Sequence, residues 1–150
     1  MVVDTTTGKM RTWVEQTQHR AKFQNILFNS EIFQQTGHIL RAAPIVASHG
    51  YNVLVPEVFH ELNPIGTVLG YDDAGRDKGN ADKANKDVES YDSDNDALIH
   101  WAKEQDWHNG NFGAMGFCIG GHLAFRAALN KNIKATACFY ATDLHTTIIP

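Results

Sequence analysis

The 150-residue sequence has few cysteines, no long apolar run and no cluster of positive charge, and each scarcity argues against a class of protein. Its two cysteines, Cys118 and Cys138, do not make a disulfide framework, so we expect a reduced, cytoplasmic protein. No stretch approaches the roughly 18 uninterrupted apolar residues of a membrane span. The first residues lack the basic and apolar regions of a signal peptide. Thirteen Lys and Arg, scattered among seventeen Asp and Glu, disfavour binding to nucleic acid or to an anionic membrane.

Motifs for metals and cofactors are also lacking. Asp92, Asp94 and Asp96 begin like an EF-hand loop. However, Ala97 stands where that loop needs glycine and Lys103 where it needs glutamate. The sequence contains no H-E-x-x-H and no C-x-x-C spacing, and the region around Cys118 lacks the G-x-G-x-x-G of dinucleotide-binding folds. We therefore predict no metal and no cofactor.

Strand-like and helix-like segments alternate along the chain. A hairpin around Thr7 and Gly8 is followed by short apolar runs at 26–28, 51–56, 112–117 and 135–140. Between them, apolar residues at helical spacing predict helices at about 36–48, from Ser90 onward and after Cys118. Residues 57–88 show weak periodicity and are interpreted as a long surface loop. This order predicts a single α/β domain over residues 1–150, with a mostly parallel sheet, helices on both faces and 112–117 as a central strand.

The strongest chemical signal is Gly116-Phe117-Cys118-Ile119-Gly120, which has the form G-x-nucleophile-x-G between an apolar strand and a helix. A nucleophile at the tip of such a turn needs small neighbours. The N-terminus of the following helix favours a thiolate and an oxyanion. The alternative is a cysteine that is simply buried in a tight turn. Cys138 lies in the middle of a predicted strand and is interpreted as a core residue.

Four segments of the chain carry a resemblance to a known family. They are Ser30-Glu31-Ile32-Phe33, HGYNVLVPE at 49–57, PIGT at 64–67 and MGFCIGGHLAF at 115–125. In these segments the sequence resembles the dienelactone hydrolases, cysteine-nucleophile members of the α/β-hydrolase superfamily. The resemblance implies a three-layer α/β-hydrolase sandwich. It also implies hydrolysis of small esters or lactones, of the carboxymethylenebutenolidase type, by a monomer.

The resemblance also implies roles for particular residues. Cys118 matches the nucleophile, and Glu31 matches the carboxylate that contacts it and helps to set its ionisation. The backbone N–H groups of Ile32 and Ile119 match the two oxyanion donors. Arg76 falls near an arginine that holds a substrate carboxylate in some members. The alternatives are a solvated loop acid for Glu31 and a solvated surface charge for Arg76.

The family's catalytic acid and histidine lie on loops after strands that follow the last strand of this sequence. We therefore expect the domain to be incomplete at its C-terminus, with the acid and histidine beyond Pro150. The local candidates to replace them are His122, which the helix after Cys118 carries one turn away, beside the backbone and not above the thiol, and Asp143 with His145 after the last strand. Without a base, we expect the 150 residues to be a poor catalyst and marginally stable, with 135–140 as an exposed edge. The alternative function is a non-catalytic α/β remnant that binds small acids or a partner chain.

Overall fold

The computed structural model describes residues 1–17 and 21–145, which form an α/β fold of six strands and four helices. In chain order the elements are β1 (Val2–Thr5), β2 (Gly8–Glu15), β3 (Phe23–Asn29), α1 (Gly37–Ala47), β4 (Tyr51–Pro56), α2 (Asp73–Asn85), α3 (Val88–Lys103), β5 (His108–Phe117), α4 (Ile119–Ala127) and β6 (Ile133–Phe139). One mixed sheet has the strand order β1-β2-β4-β3-β5-β6. The predicted α/β class is confirmed.

The direction of the strands separates a hairpin from a parallel core. β1 and β2 pair antiparallel, with Val3 opposite Met10, and β2 pairs antiparallel with β4. β4, β3, β5 and β6 all run parallel. β5 therefore has a parallel neighbour on each side, which confirms the prediction of an interior strand at 112–117. The carboxyl ends of the four parallel strands meet at one edge of the sheet.

The two faces of the sheet are covered by different helices. Successive side chains of a strand point to opposite faces, so each strand contributes residues to both layers of packing. The face towards α1 is packed by the buried residues Phe28, Ile39, Ala43, Ala47, Val53 and Val55. The face towards α3 and α4 is packed by, among others, Leu27, Leu54, Leu98, Ala114 and Ala124. Helices on both faces confirm the three-layer arrangement. No helix among the described residues has the length and apolar character to cross a membrane.

Helix α1 lies within the predicted 36–48 and contains Pro44. Gly50, with φ of +87°, adopts the left-handed conformation expected just past its end. Its N–H donates to the carbonyl oxygen of Ala47 over 3.0 Å.

The prediction of a long surface loop over 57–88 is wrong. Residues 73–85 form α2, and Phe59 and Lys86 are buried. The buried positions of α2 are Gly75, Gly79 and Asp82, so this helix packs without an apolar stripe and gives no hydrophobic periodicity. The start of α2 does carry a local signal, because the Asp72 side chain accepts from the N–H of Gly75 over 2.8 Å.

Among the described residues, strand β6 is one edge of the sheet and β1 is the other. Ala135, Ala137, Cys138 and Phe139 are exposed, and a groove of about 490 Å³ runs beside them between β5–β6 and the end of α1. The interpretation of Cys138 as a core residue is therefore wrong, because a mid-strand position is buried only where neighbours cover the strand. The prediction of an exposed apolar edge at 135–140 agrees with this exposure.

Candidate active site

Cys118 lies at the junction between β5 and α4, in a backbone conformation that L-amino acids rarely adopt. Its φ is +58° and its ψ is −122°, and it is the residue immediately before the first turn of α4. The backbone is fixed on both sides. The N–H of Cys118 donates to the carbonyl oxygen of Phe139 over 3.1 Å, and its own carbonyl oxygen accepts from the N–H of Gly121 over 3.0 Å. The sharp strand-to-helix junction is confirmed, and residues 116–120 are called the elbow below.

The two glycines that flank Cys118 are required by the packing of backbone against backbone. A Cβ atom on Gly116 would lie 2.0 Å from the carbonyl oxygen of Gly120. A Cβ atom on Gly120 would lie 2.2 Å from the carbonyl oxygen of Asn29 and 2.5 Å from that of Ser30. The spacing found in the sequence is therefore a steric requirement of this turn.

The Cys118 thiol is half-buried and lies at the N-terminus of α4. Its sulfur is 4.0 Å from the hydroxyl oxygen of Thr142, on the segment that follows β6. The residue after it, Ile119, is fully buried and belongs to the first turn of α4, where backbone N–H groups have no partner within the helix. A thiolate or an oxyanion at this position is stabilised by those N–H groups and by the helix dipole.

The second half of the site is the loop between β3 and α1. β3 and β5 are neighbours with Asn29 opposite Gly116, so their carboxyl ends deliver this loop to the elbow. The close approach of Ser30 to Gly120 shows that the two segments touch. Gln34 holds the loop in a tight turn. Its φ is +70°, its N–H donates to the carbonyl oxygen of Glu31 over 3.1 Å, and its buried side chain accepts from the N–H of Phe59 over 3.3 Å.

The Glu31 carboxylate is hydrogen-bonded by two tyrosines. The Tyr71 hydroxyl donates to Oε2, and the Tyr140 hydroxyl donates to Oε1 over 3.3 Å. Partial burial raises the pKa of Tyr71, and the bond to Glu31 raises it further. Partial burial together with the charge of Glu31 raises the pKa of Tyr140 to about 12, and the charge of Cys118 adds to both shifts. Both phenols therefore stay protonated at neutral pH and act as donors.

Helix α2 supports the loop from outside. A Cβ atom on Gly79 would lie 2.7 Å from the carbonyl oxygen of Ile32 and 2.9 Å from its Cβ atom. The helix and the loop are therefore in direct backbone contact at the residue whose N–H is a predicted oxyanion donor. The position of the loop depends on the absence of a side chain at Gly79.

The remaining candidates of the sequence are held in other contacts. Arg76 lies on the exposed side of α2 and pairs with Asp73 and Asp77, so its substrate-binding role stays a prediction. His122 is buried on α4 with Nδ1 2.9 Å from the carbonyl oxygen of Thr142. Asp143 pairs with Lys83 over 2.8 Å, and that bond lowers the pKa of the Asp143 carboxyl. His145 is exposed.

A group of possible metal ligands lies away from the elbow, beneath α3. One ligand atom from each of His60, Glu61 and Asp94 falls within 4.8 Å of the others. The Lys86 ammonium donates to Glu61 over 2.8 Å and to Asp94 over 2.6 Å, and its third hydrogen bond goes to the carbonyl oxygen of Val58. Lysine therefore supplies the cation that these carboxylates need, and the cluster is a buried ion pair network.

Sequence reasoning missed Tyr71, Tyr140 and Thr142. Tyr71 lies in the segment interpreted as a loop, and no local pattern connects it to Glu31, 40 residues away. Tyr140 is the final residue of the last predicted strand and Thr142 follows it, at the same sheet edge as Cys118. Their position in the predicted topology could have identified them, because side chains beyond the carboxyl ends of neighbouring parallel strands lie close together.

Comparison with known proteins places this geometry in a family. The model of the dienelactone hydrolase family matches residues 10–149. A Saccharomyces cerevisiae protein named "Putative carboxymethylenebutenolidase" is 41% identical over 129 residues, which cover 85% of this chain and 46% of that protein. The carboxymethylenebutenolidase of Pseudomonas putida is 29% identical over 121 residues, which cover 79% of this chain and 50% of that enzyme.

The fold also agrees with a solved structure. A crystal structure titled "Putative Dienelactone Hydrolase" from Klebsiella pneumoniae superposes with a TM-score of 0.78 at 19% identity, covering 93% of this chain and 57% of that one. This chain spans about half the length of the curated relatives it matches. The elbow at Cys118, the sheet order and the match over 10–149 lead to one conclusion: the chain belongs to the dienelactone hydrolase family.

Proposed function

We propose that the protein hydrolyses small carboxylic esters or lactones through a thioester on Cys118. The observation that carries the proposal is the backbone at Cys118, whose φ of +58° is imposed between two glycines that no larger residue can replace. Such strain persists where the surrounding structure enforces it, and it presents the thiol at the end of β5 in front of a helix N-terminus. The names of the matched relatives support a hydrolase.

The chemistry assigned to these residues has two stages. The Cys118 thiolate attacks the carbonyl carbon, a C–S bond forms, and the C–O bond to the leaving alcohol or lactone oxygen then breaks, with that oxygen taking a proton. The N–H groups of Ile32 and Ile119 hold the oxyanion, and each such donor contributes about 3 kcal/mol in comparable sites. Water then attacks the thioester and releases the acid and the thiol.

Glu31 is assigned to the control of thiol ionisation. Its position supports this role, since it follows β3 on the loop that contacts the elbow, and the charges of Glu31 and Cys118 both act on the same two tyrosines. A carboxylate that is already engaged by two phenols is restrained in one place. It can therefore act on the thiol without swinging away into solvent.

We assign the general base of the second stage to sequence beyond the described residues. His122 already engages the carbonyl oxygen of Thr142, Asp143 is paired with Lys83, and the matched residues cover 46% and 50% of the two curated relatives. The exposed edge at β6 is where further strands of a continuing sheet would pair.

Replacing Cys118 by alanine tests the proposal. For residues 1–150 expressed alone we expect p-nitrophenyl acetate to release a burst of about one p-nitrophenolate per chain, followed by slow turnover, because the thiolate and the oxyanion donors of acylation are among the described residues and the base assigned to deacylation is not. Cys118→Ala removes the thiolate, so the burst should disappear. Stopped-flow absorbance of p-nitrophenolate measures both phases.

The matched control is Cys138→Ala, which removes the exposed second thiol from β6. We expect this variant to keep the full burst. A burst that survives Cys118→Ala and is lost in Cys138→Ala contradicts the assignment. An unmodified protein with no burst favours the non-catalytic alternative.

Replacing Gly79 by alanine tests the loop that carries the Ile32 donor. The added methyl group meets the Ile32 carbonyl oxygen at 2.7 Å, so the loop must move by several tenths of an ångström. We expect the burst rate to fall by about tenfold, because oxyanion donors act only when they are well aligned. The gain in helix propensity, up to about 1 kcal/mol, offsets the strain in the free energy of unfolding.

Asn80→Ala is the control for Gly79→Ala, since Asn80 is an exposed neighbour on α2. It adds a comparable gain in helix propensity without touching the loop, and the burst rate should not change. Equal burst rates in the two variants would show that α2 does not position the Ile32 N–H.

A further inference from the structure

Glu31 is held from two sides by residues that are far from it in sequence. Tyr71 comes from the segment before α2, 40 residues away, and Tyr140 from the end of β6, 109 residues away. Each phenol donates to a different oxygen of the same carboxylate. The two phenols, called the tyrosine pair below, therefore occupy both oxygens of Glu31.

Both members of the tyrosine pair are anchored by their rings. The Tyr71 ring lies 4.2 Å from the Phe33 ring and 5.2 Å from His38. The Tyr140 ring is stacked on Phe117 at 5.5 Å between centroids, next to Cys118 in the chain. Each tyrosine therefore has an aromatic contact in addition to its hydrogen bond to Glu31, and these contacts restrict the ring although Tyr71 is 54% and Tyr140 65% exposed.

We infer that Tyr71 and Tyr140 are positioning residues that hold Glu31 in place and draw its negative charge away from the Cys118 thiol. The inference rests on the proposed role of Cys118. A carboxylate beside a thiol disfavours the thiolate by charge repulsion, and hydrogen bonds from neutral donors spread that charge. With the tyrosine pair in place, the Glu31 carboxylate can lie near Cys118 without preventing ionisation of the thiol.

Other titratable groups of the neighbourhood are engaged elsewhere. His122 on α4 bonds to the carbonyl oxygen of Thr142, and Asp143 is paired with Lys83. His38 contacts the Tyr71 ring by its edge. Burial and the charge of Glu31 raise the pKa of Tyr140 to about 12, so it remains a donor across the pH range of the test.

The test is the pH dependence of Cys118 alkylation by iodoacetamide in a Cys138→Ala background, where Cys118 is the remaining thiol. Tyr71→Phe and Tyr140→Phe keep the rings and remove one donor each. We expect the midpoint of the pH–rate profile to rise by about half a unit in each, so that alkylation at pH 7 slows by about threefold. Tyr51→Phe, at the opposite end of the parallel strands, should leave the midpoint unchanged.

The same substitutions in a Glu31→Gln background show whether the tyrosine hydroxyls act through the Glu31 carboxylate or only through local packing. If the tyrosine pair acts through the carboxylate, neither phenylalanine variant should shift the midpoint once the charge is gone. Two results overturn the inference: an unchanged midpoint in either phenylalanine variant, or a shift of equal size with and without Glu31. Alkylation needs no ester turnover, so a protein with no burst but with these shifts would refute the proposed hydrolysis and leave the tyrosine pair standing.

Discussion

Replacing Lys86 by methionine is expected to lower the free energy of unfolding by about 3–5 kcal/mol, the usual cost of removing one partner from a buried ion pair. The Lys86 side chain is 0% exposed, and the Glu61 and Asp94 side chains that it joins are 14% and 9% exposed. Methionine fills the volume but leaves two carboxylates facing each other away from water. Urea denaturation followed by circular dichroism measures the loss.

The same variant should recover stability as the pH falls. Burial raises the pKa of the Asp94 carboxyl, and Lys86 opposes that rise, so the rise is larger without the lysine. A carboxyl whose folded-state pKa exceeds its unfolded value costs stability in full above the folded pKa, and this cost falls as the pH drops from the folded pKa towards the unfolded one. The deficit of Lys86→Met should therefore be smaller at pH 5 than at pH 7.

Lys9→Met is the matched control, because Lys9 pairs with Asp4 on the surface with side chains 67% and 82% exposed. Such a pair is worth little, and we expect a change within about 0.5 kcal/mol at either pH. If Lys86→Met is no more destabilising than Lys9→Met, the network beneath α3 does not hold the fold together.

Replacing Gly120 by alanine should damage both the fold and the site. The new methyl group would lie 2.2 Å from the carbonyl oxygen of Asn29 and 2.5 Å from that of Ser30, and neither backbone can yield without moving β3 or α4. Overpacking of this kind costs about 1–3 kcal/mol. The elbow and the β3–α1 loop would also separate, and misplacement by about 1 Å costs about a hundredfold in rate.

Gly37→Ala is the control for Gly120→Ala, because its added methyl group meets the flexible end of the Arg41 side chain at 3.0 Å. Gly37 opens α1, so alanine there should keep the burst rate and leave stability unchanged or slightly higher. Burst kinetics and urea denaturation on the two variants make the comparison. Retention of the full burst rate in Gly120→Ala would mean that the contact between elbow and loop is not needed.

The fold was largely predictable because local patterns of apolar residues indicate its strands and three of its helices. Leu27, Leu54 and Ala114 point to the face of the sheet covered by α3 and α4, and Phe28 and Val55 point to the face covered by α1. Short apolar runs that are buried on both faces are typical of a parallel sheet, so the sequence predicted one. Helix α2 was missed because it packs through Gly75 and Gly79 against backbone, and a contact without side chains leaves no hydrophobic period.

The site was predictable where its requirements fall within a few consecutive residues. The elbow needs small residues two positions on each side of Cys118, so five residues reveal it. The hydrogen bonds from Tyr71 and Tyr140 to Glu31 depend on three distant segments meeting at the carboxyl edge of the sheet. Tertiary contacts of that kind follow from the topology and are invisible in any short window.

The most direct test of the central claim is to find which residue carries the acyl group during ester cleavage. The protein is mixed with p-nitrophenyl acetate, quenched in acid within the burst, digested and analysed by peptide mass spectrometry. We expect one acetyl group per chain, on the peptide that contains Cys118, and we expect hydroxylamine to remove it as it removes a thioester. Acetylation on Cys138 or on lysines, with Cys118 unmodified, would contradict it.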